Sequence, residues 1–213
     1  MIKKRVALFA LSYLFAHNPE DKNIVWNNFI RLGVVHNAEI NRNGLSSLYR
    51  IKRINDNTFR DLRIYAHFFE SVSDIRIRSK SSNKYDFSSN LYHFTTYVYH
   101  KSGENLRYHF NQGIGALIKN EKEGNITSEI GWAYDKSDFI ESDEKTTYLK
   151  SAITIDRNFS NFKTKAELEY YHQISEVFLF NLSRFETILE FQFLINENWS
   201  TVFGIDREVY TES

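Results

Sequence analysis

The sequence predicts an all-β fold: an antiparallel up-and-down transmembrane β-barrel of about 10–12 strands. Three observations carry that expectation. Segments that alternate apolar and polar residues recur along the chain, short and longer connections separate them, and aromatic residues gather near the segment ends. A strand turns successive side chains to opposite faces, so a period of two marks an element with one face for hydrocarbon and one for water.

The pattern is clearest in Phe162 to Tyr171. Phe162, Thr164, Ala166, Leu168 and Tyr170 fall on one side, and Lys163, Lys165, Glu167 and Glu169 on the other. A helix would mix the two sets around its circumference. Ten further segments share the period: Phe29 to His36, Leu45 to Arg53, Phe59 to Phe69, Asp74 to Tyr85, Tyr92 to Tyr99, Leu106 to Ile118, Ile126 to Tyr134, Thr147 to Arg157, Phe185 to Ile195 and Trp199 to Tyr210. Within them, Ile30, Leu32 and Val34 share a face, as do Ile153 and Ile155, and Leu189, Phe191 and Phe193. Tyr92, Phe94, Thr96 and Val98 are assigned to the apolar side of their segment by the same rule. Gly113 and Gly115 fall on a polar face, where glycine predicts a bend or a close approach. Eleven is an odd number, and bacterial single-chain barrels have even strand counts, so a closing strand is expected to be missing or miscounted.

Met1 to Ala16 reads differently. Lys3, Lys4 and Arg5 precede the apolar run from Val6 to Phe15, and a small residue, Ala16, stands at its exit. Those are the features of a secretory signal peptide. The expected organisation is therefore a signal peptide over 1–16, a leader over 17–28 and a barrel over 29–213. The expected location is the outer membrane of a Gram-negative-type bacterium.

Composition narrows the remaining choices. Lys plus Arg number 27 and Asp plus Glu number 27, so no basic footprint for nucleic acid exists. Cysteine is absent, which removes disulfides and thiolate metal sites. The mean hydropathy is −0.48, and no apolar run is long enough for a spanning helix. Neither fact argues against a barrel, which presents apolar residues only at alternate positions.

Connection lengths add a second signal. Asn55 to Asn57, Asn158 to Asn161 and Asn196 to Asn198 are short, whereas Asp135 to Lys145 and His172 to Leu182 are longer. Tight periplasmic turns opposite longer external loops are the asymmetry of outer-membrane barrels. With the short turns periplasmic, Tyr92, Phe162 and Trp199 point outward near the inner rim. Tyr108, Trp132, Tyr134 and Tyr170 then point outward near the outer rim, with Leu168, Phe191 and Phe193 also facing lipid. Such aromatic belts suit the headgroup level.

The run from Leu106-Arg107-Tyr108 through Gly113-Ile114-Gly115, Ser128-Glu129-Ile130-Gly131-Trp132-Ala133-Tyr134, Asp156-Arg157-Asn158-Phe159-Ser160 and Leu168-Glu169-Tyr170 resembles the salt-induced outer-membrane protein family, the YdiY-like exported barrels of uncharacterised function. The resemblance spans roughly Phe29 to Tyr210 on loose strand patterns. It implies an outer-membrane barrel and supplies no catalytic residues. Two features depart from it: His36-Asn37-Ala38-Glu39 follows the first segment, and the chain stops at Tyr210-Thr211-Glu212-Ser213 without a terminal aromatic.

No catalytic constellation, metal-ligand spacing or cofactor motif is found, so no enzymatic activity and no cofactor are expected. His93 and His109 are candidates for one inner face. The lumen is expected to be lined by Arg50, Lys52, Arg76, Arg78, Arg107, Glu129, Lys163, Lys165, Glu167, Glu169, Glu186 and Glu190, whose opposite charges can pair across the ladder. The function expected is a structural barrel, or a small-solute, porin-like pore with a narrow or filled lumen. Its partners are outer-membrane lipid and the barrel-assembly machinery, with no nucleic acid and an unknown solute. The alternative is a soluble exported barrel or sandwich that binds an apolar ligand inside, for which the two faces exchange places.

Overall fold

A computed structural model describes residues 3–17, 24–38, 40–121, 123–137, 145–175, 181–196 and 198–211. Twelve antiparallel strands close into one barrel: β1 (Lys3–His17), β2 (Val25–Asn37), β3 (Arg42–Ile54), β4 (Thr58–Phe68), β5 (Ser73–Tyr85), β6 (Ser88–Ser102), β7 (Asn105–Glu121), β8 (Gly124–Ser137), β9 (Thr146–Asn158), β10 (Phe162–Gln173), β11 (Arg184–Leu194) and β12 (Trp199–Tyr210). Each strand pairs with its sequence neighbours, and β1 closes the ring against β12. The eleven alternating segments correspond to β2 through β12, so the fold is the up-and-down barrel that the period of two predicts. Closure leaves no unpaired edge.

The twelfth strand lies at the N-terminus, in the segment that the sequence reading gives to a signal peptide over 1–16. Lys3–His17 pairs with β12 from Lys3 opposite Val209 to Tyr13 opposite Trp199, and with β2 from Val6 opposite Asn37 to His17 opposite Trp26. β2 begins at Val25, before the Phe29 at which the barrel was expected to start. A membrane strand and a signal core coincide in length. A membrane strand needs about 9–11 residues, the size of a signal core, so an apolar run behind a cationic start satisfies both. Pairing along both edges is a property of the folded chain, which the pattern of one segment does not contain.

Side-chain burial follows the period of two. On the outside, Leu32 is 61% exposed, Ile114 54%, Ile130 50% and Leu168 43%. Their neighbours in sequence point inward and are buried, as with Glu167 and Glu169 on either side of Leu168. Charged side chains fill the interior and aliphatic and aromatic ones cover the exterior, which is the inverse of a soluble barrel. The alternative reading, with an apolar interior for a ligand, is thereby corrected.

Asparagine shapes the short turns. The Asn55 side-chain oxygen accepts from the backbone amides of Asn57 and Thr58 at 3.1 and 2.6 Å, and that of Asn196 accepts from Asn198 and Trp199 at 2.9 and 2.8 Å. These are Asx turns, which let a tight reversal satisfy its own amides. The expected inequality of the rims is weaker than predicted. The connections over 138–145 and 174–183 are long, but those over 38–41, 69–72 and 103–104 on the same rim are short.

Candidate functional site

The lumen is the candidate site, and its geometry starts from alternation. Residues two apart on a strand share a face, so each strand contributes a column of inward side chains. In β5 that column contains Arg76, Arg78 and Lys80; in β10 it contains Lys163, Lys165, Glu167, Glu169 and Tyr171; in β11 it contains Arg184, Glu186 and Glu190. Cationic and anionic columns thus face one another through the barrel.

Several ion pairs cross the lumen. Arg76 Nη2 reaches Glu186 Oε2 at 3.4 Å, and β5 and β11 are separated by five strands in either direction around the ring. Arg78 on β5 reaches Glu167 at 3.2 Å and Glu169 at 3.4 Å on β10. Arg31 on β2 donates to Glu190 on β11 at 2.6 Å, and Arg107 on β7 lies 3.4 Å from Glu208 on β12. Bonds of this kind tie non-adjacent walls together, which no ladder hydrogen bond can do.

Shorter-range pairs complete the network. Asp61 accepts two bonds from Arg50, at 2.6 and 2.7 Å, and one from Arg63 at 2.8 Å. Such a bidentate fork fixes geometry as well as charge. Lys165 donates to Glu167 at 2.6 Å, and Lys80 pairs with Glu129. Lys150 is 0% exposed and donates to Glu169 at 2.8 Å, with Glu129 at 3.9 Å. The ring of Phe94 lies 5.2 Å from the Lys80 ammonium and 5.5 Å from that of Lys150, so an aromatic face supplements the carboxylates at the most enclosed point.

A second knot centres on Arg184. Its guanidinium stacks over Tyr171 at 4.3 Å and Tyr148 at 5.0 Å, and it contacts Glu186 at 3.0 Å, Glu208 at 3.1 Å and Asp135 at 3.3 Å. Asp135 also accepts from Arg107 at 2.5 Å and contacts His109. Tyr171 donates to Glu169 at 2.5 Å, which joins this knot to the Lys150 group. Burial of so much charge is tolerated only where each group has partners, because an unpaired buried ion loses its hydration without compensation.

Of the residues expected in the lumen, Arg50, Arg76, Arg78, Arg107, Glu129, Lys165, Glu167, Glu169, Glu186 and Glu190 all enter this network. Lys52 and Lys163 share the inward parity of Arg50 and Lys165, half-buried toward the rim that carries the 55–57 and 159–161 turns. Among the residues expected outside, Tyr108 and Trp132 are each 51% exposed, Phe191 48%, Phe193 46%, Trp199 42% and Tyr134 40%. Phe162 stacks on Phe159 at 4.3 Å, and Tyr170 on Phe185 at 4.5 Å.

Tyr92 is a correction. It points inward, is buried, and donates to Glu129 at 2.9 Å. All of β6 is turned relative to expectation: Tyr92, Phe94, Thr96 and Val98 are buried, and Leu91, His93 and Tyr97 face out. The reason lies in the neighbours. Tyr92 pairs with Gly115 on β7, and the missing side chain there lets the phenol ring lie flat across β7 to reach Glu129 on β8. A Cβ at Gly115 would stand 2.3 Å from the Tyr92 ring. The shared inner face proposed for His93 and His109 fails for the same reason, because His93 faces out and bonds to Asn83.

Sequence reasoning passes over Arg31, Asp61, Asp135, Arg184 and Glu208, whereas His109 lies on the inner face as expected. Arg31 and Asp61 have the right parity and could have been found by it. Asp135 and Arg184 fall one residue outside the alternating segments Ile126 to Tyr134 and Phe185 to Ile195, and extending the alternation by one step includes them.

Comparison with known proteins finds no matching family model and no curated relative. Solved structures similar to this chain include the following three. A bacterial polysaccharide outer membrane secretin shares 9% identity over 97% of this chain and 98% of its own, with a TM-score of 0.40. The translocator domain of the autotransporter NalP from Neisseria meningitidis shares 10% over 98% and 87%, with a TM-score of 0.36. CdiB from Acinetobacter baumannii shares 8% over 97% and 60%, with a TM-score of 0.32. All three are remote in sequence and differ in detailed shape.

Proposed function

We propose that this protein is an outer-membrane barrel whose lumen is closed by its own ion-pair network, a structural element of the membrane that admits at most small solutes. The observation that carries the reading is the Arg76–Glu186 pair with its neighbour Arg78, which spans opposite walls and occupies the space that a channel would need. The apolar exterior supports a bilayer setting, since Ile, Leu and Phe side chains at these exposures have no water-side explanation over so much of a wall. Insertion would use the barrel-assembly machinery, and the reading assigns the chain no catalytic activity. Kinship with the salt-induced family belongs to the proposal as well and rests on strand motifs alone.

Purified protein should float with lipid vesicles and run as a heat-modifiable band. In a planar bilayer it should show little or no conductance. A Arg76→Ala, Arg78→Ala variant should conduct more, because two long side chains leave the constriction. Large steady conductance by the parent protein would refute the closed lumen, and failure to float would refute the membrane setting.

A further inference from the structure

Among the described residues the outer wall is polar across β5, β6 and β7, with Arg60 of β4 paired beside the Ser81 end of the row. Ser81 pairs with Thr95, and Thr95 with Gln112, so three polar outward side chains form a row across three strands. Ser79 adjoins the row on β5, and Asn83 and His93 adjoin it one step toward the rim, bonded to each other at 2.9 Å. Arg60 of β4 caps Asn83 at 2.7 Å. The row lies at mid-height: Thr95 is the central residue of β6, Ser79 that of β5, and Gln112 adjoins the centre of β7. Among the described residues, the side chains of Ser79, Ser81, Thr95 and Gln112 have no hydrogen-bond partner. Elsewhere on the wall outward serines are isolated: Ser128 sits between Ala116 and Ile153, and Ser151 between Ile130 and Tyr170.

Hydrocarbon offers no partner to a hydroxyl or a carboxamide, so a row of them at the bilayer centre calls for another surface. We propose that this wall is the interface of a homodimer, with a second copy of the chain as its occupant. This inference rests on the membrane setting proposed above. The row is self-complementary, since each hydroxyl and carboxamide both donates and accepts and none carries charge. A two-fold axis along the membrane normal sets β6 against β6 and Thr95 against Thr95, and places β5 of one copy opposite β7 of the other. Ser79 and Ser81 then meet the strand that carries Gln112. The aromatic row beside it, Tyr97 to Phe110 at 4.9 Å and Phe110 to Tyr134 at 6.1 Å, supplies apolar packing toward the opposite rim.

The chain has no cysteine, so single substitutions give clean disulfide probes. Thr95→Cys and Phe191→Cys, on opposite sides of the barrel, are each floated with vesicles and then oxidised. Thr95→Cys should shift to a band of twice the chain's mass, and Phe191→Cys should not. In native-state mass measurements, Ser81→Leu with Gln112→Leu should shift the dimer to monomer while the heat-modifiable band persists. Floated protein that cross-links at neither position, at both equally, or to a different polypeptide overturns the dimer and leaves the membrane setting standing. Protein that does not float overturns both.

Discussion

Replacing Glu169 by leucine is the sharpest probe of the filled lumen. Lys150 has no exposed surface, and its close carboxylate is Glu169 at 2.8 Å, with Glu129 further away at 3.9 Å. Arg78 loses less, because Glu167 remains 3.2 Å from it. Tyr171 loses the acceptor of its hydroxyl. Breaking a buried pair by removing one partner costs about 3–5 kcal/mol. The retained contacts place Glu169→Leu at the lower end, about 3 kcal/mol. Adding Lys150→Met should recover most of that loss, since a hydrophobic replacement of both partners is often neutral. The assay is urea unfolding of vesicle-inserted protein followed by tryptophan fluorescence, with Trp26, Trp132 and Trp199 all on the outer wall. A loss below about 1 kcal/mol, the range of a solvent-exposed pair, would mean that Lys150 is hydrated and the lumen is not filled there.

Other expectations follow from the same geometry. Leu168→Arg, on the outer face between Thr187 and Ile153, should cost about 2–4 kcal/mol for folding in lipid if it sits near the midplane; equal stability to the parent would reverse the assignment of faces. Gly115→Ala should displace the Tyr92 ring from Glu129 and cost about 1–3 kcal/mol, the usual range for overpacking. A Tyr92→Ala, Gly115→Ala pair that loses as much as the sum of its single changes would refute that contact. If Lys3–His17 is part of the mature barrel, a chain starting after His17 lacks β1 and should fail to give the heat-modifiable band; a folded product of that truncation would favour the signal-peptide reading.

Much of this fold is written in local chemistry. A period of two needs only the residues of one strand, so Phe162 to Tyr171 announces two faces before any partner is known, and asparagine marks the turns at Asn55 and Asn196 by bonding its own backbone. Lysine and glutamate columns follow from the same period, which is why most lumen residues were legible. What alternation leaves undetermined is the side of the wall on which a face lies when both faces are mixed. In β6, Tyr92, Phe94 and Val98 look like lipid-facing residues, but Gly115 opens a place for Tyr92 inside, and the register around the irregularity at Lys84/Tyr85 fixes the rest. The pairing of Lys3–His17 with β12, a strand at the far end of the chain, is likewise invisible to local pattern. Which carboxylate meets which cation across the lumen is a matter of closure, because Arg76 and Glu186 are neighbours only once the ring is complete. Periodicity is local and survives in the unfolded chain; register, ring closure and contact through the interior exist only when distant strands have been brought together.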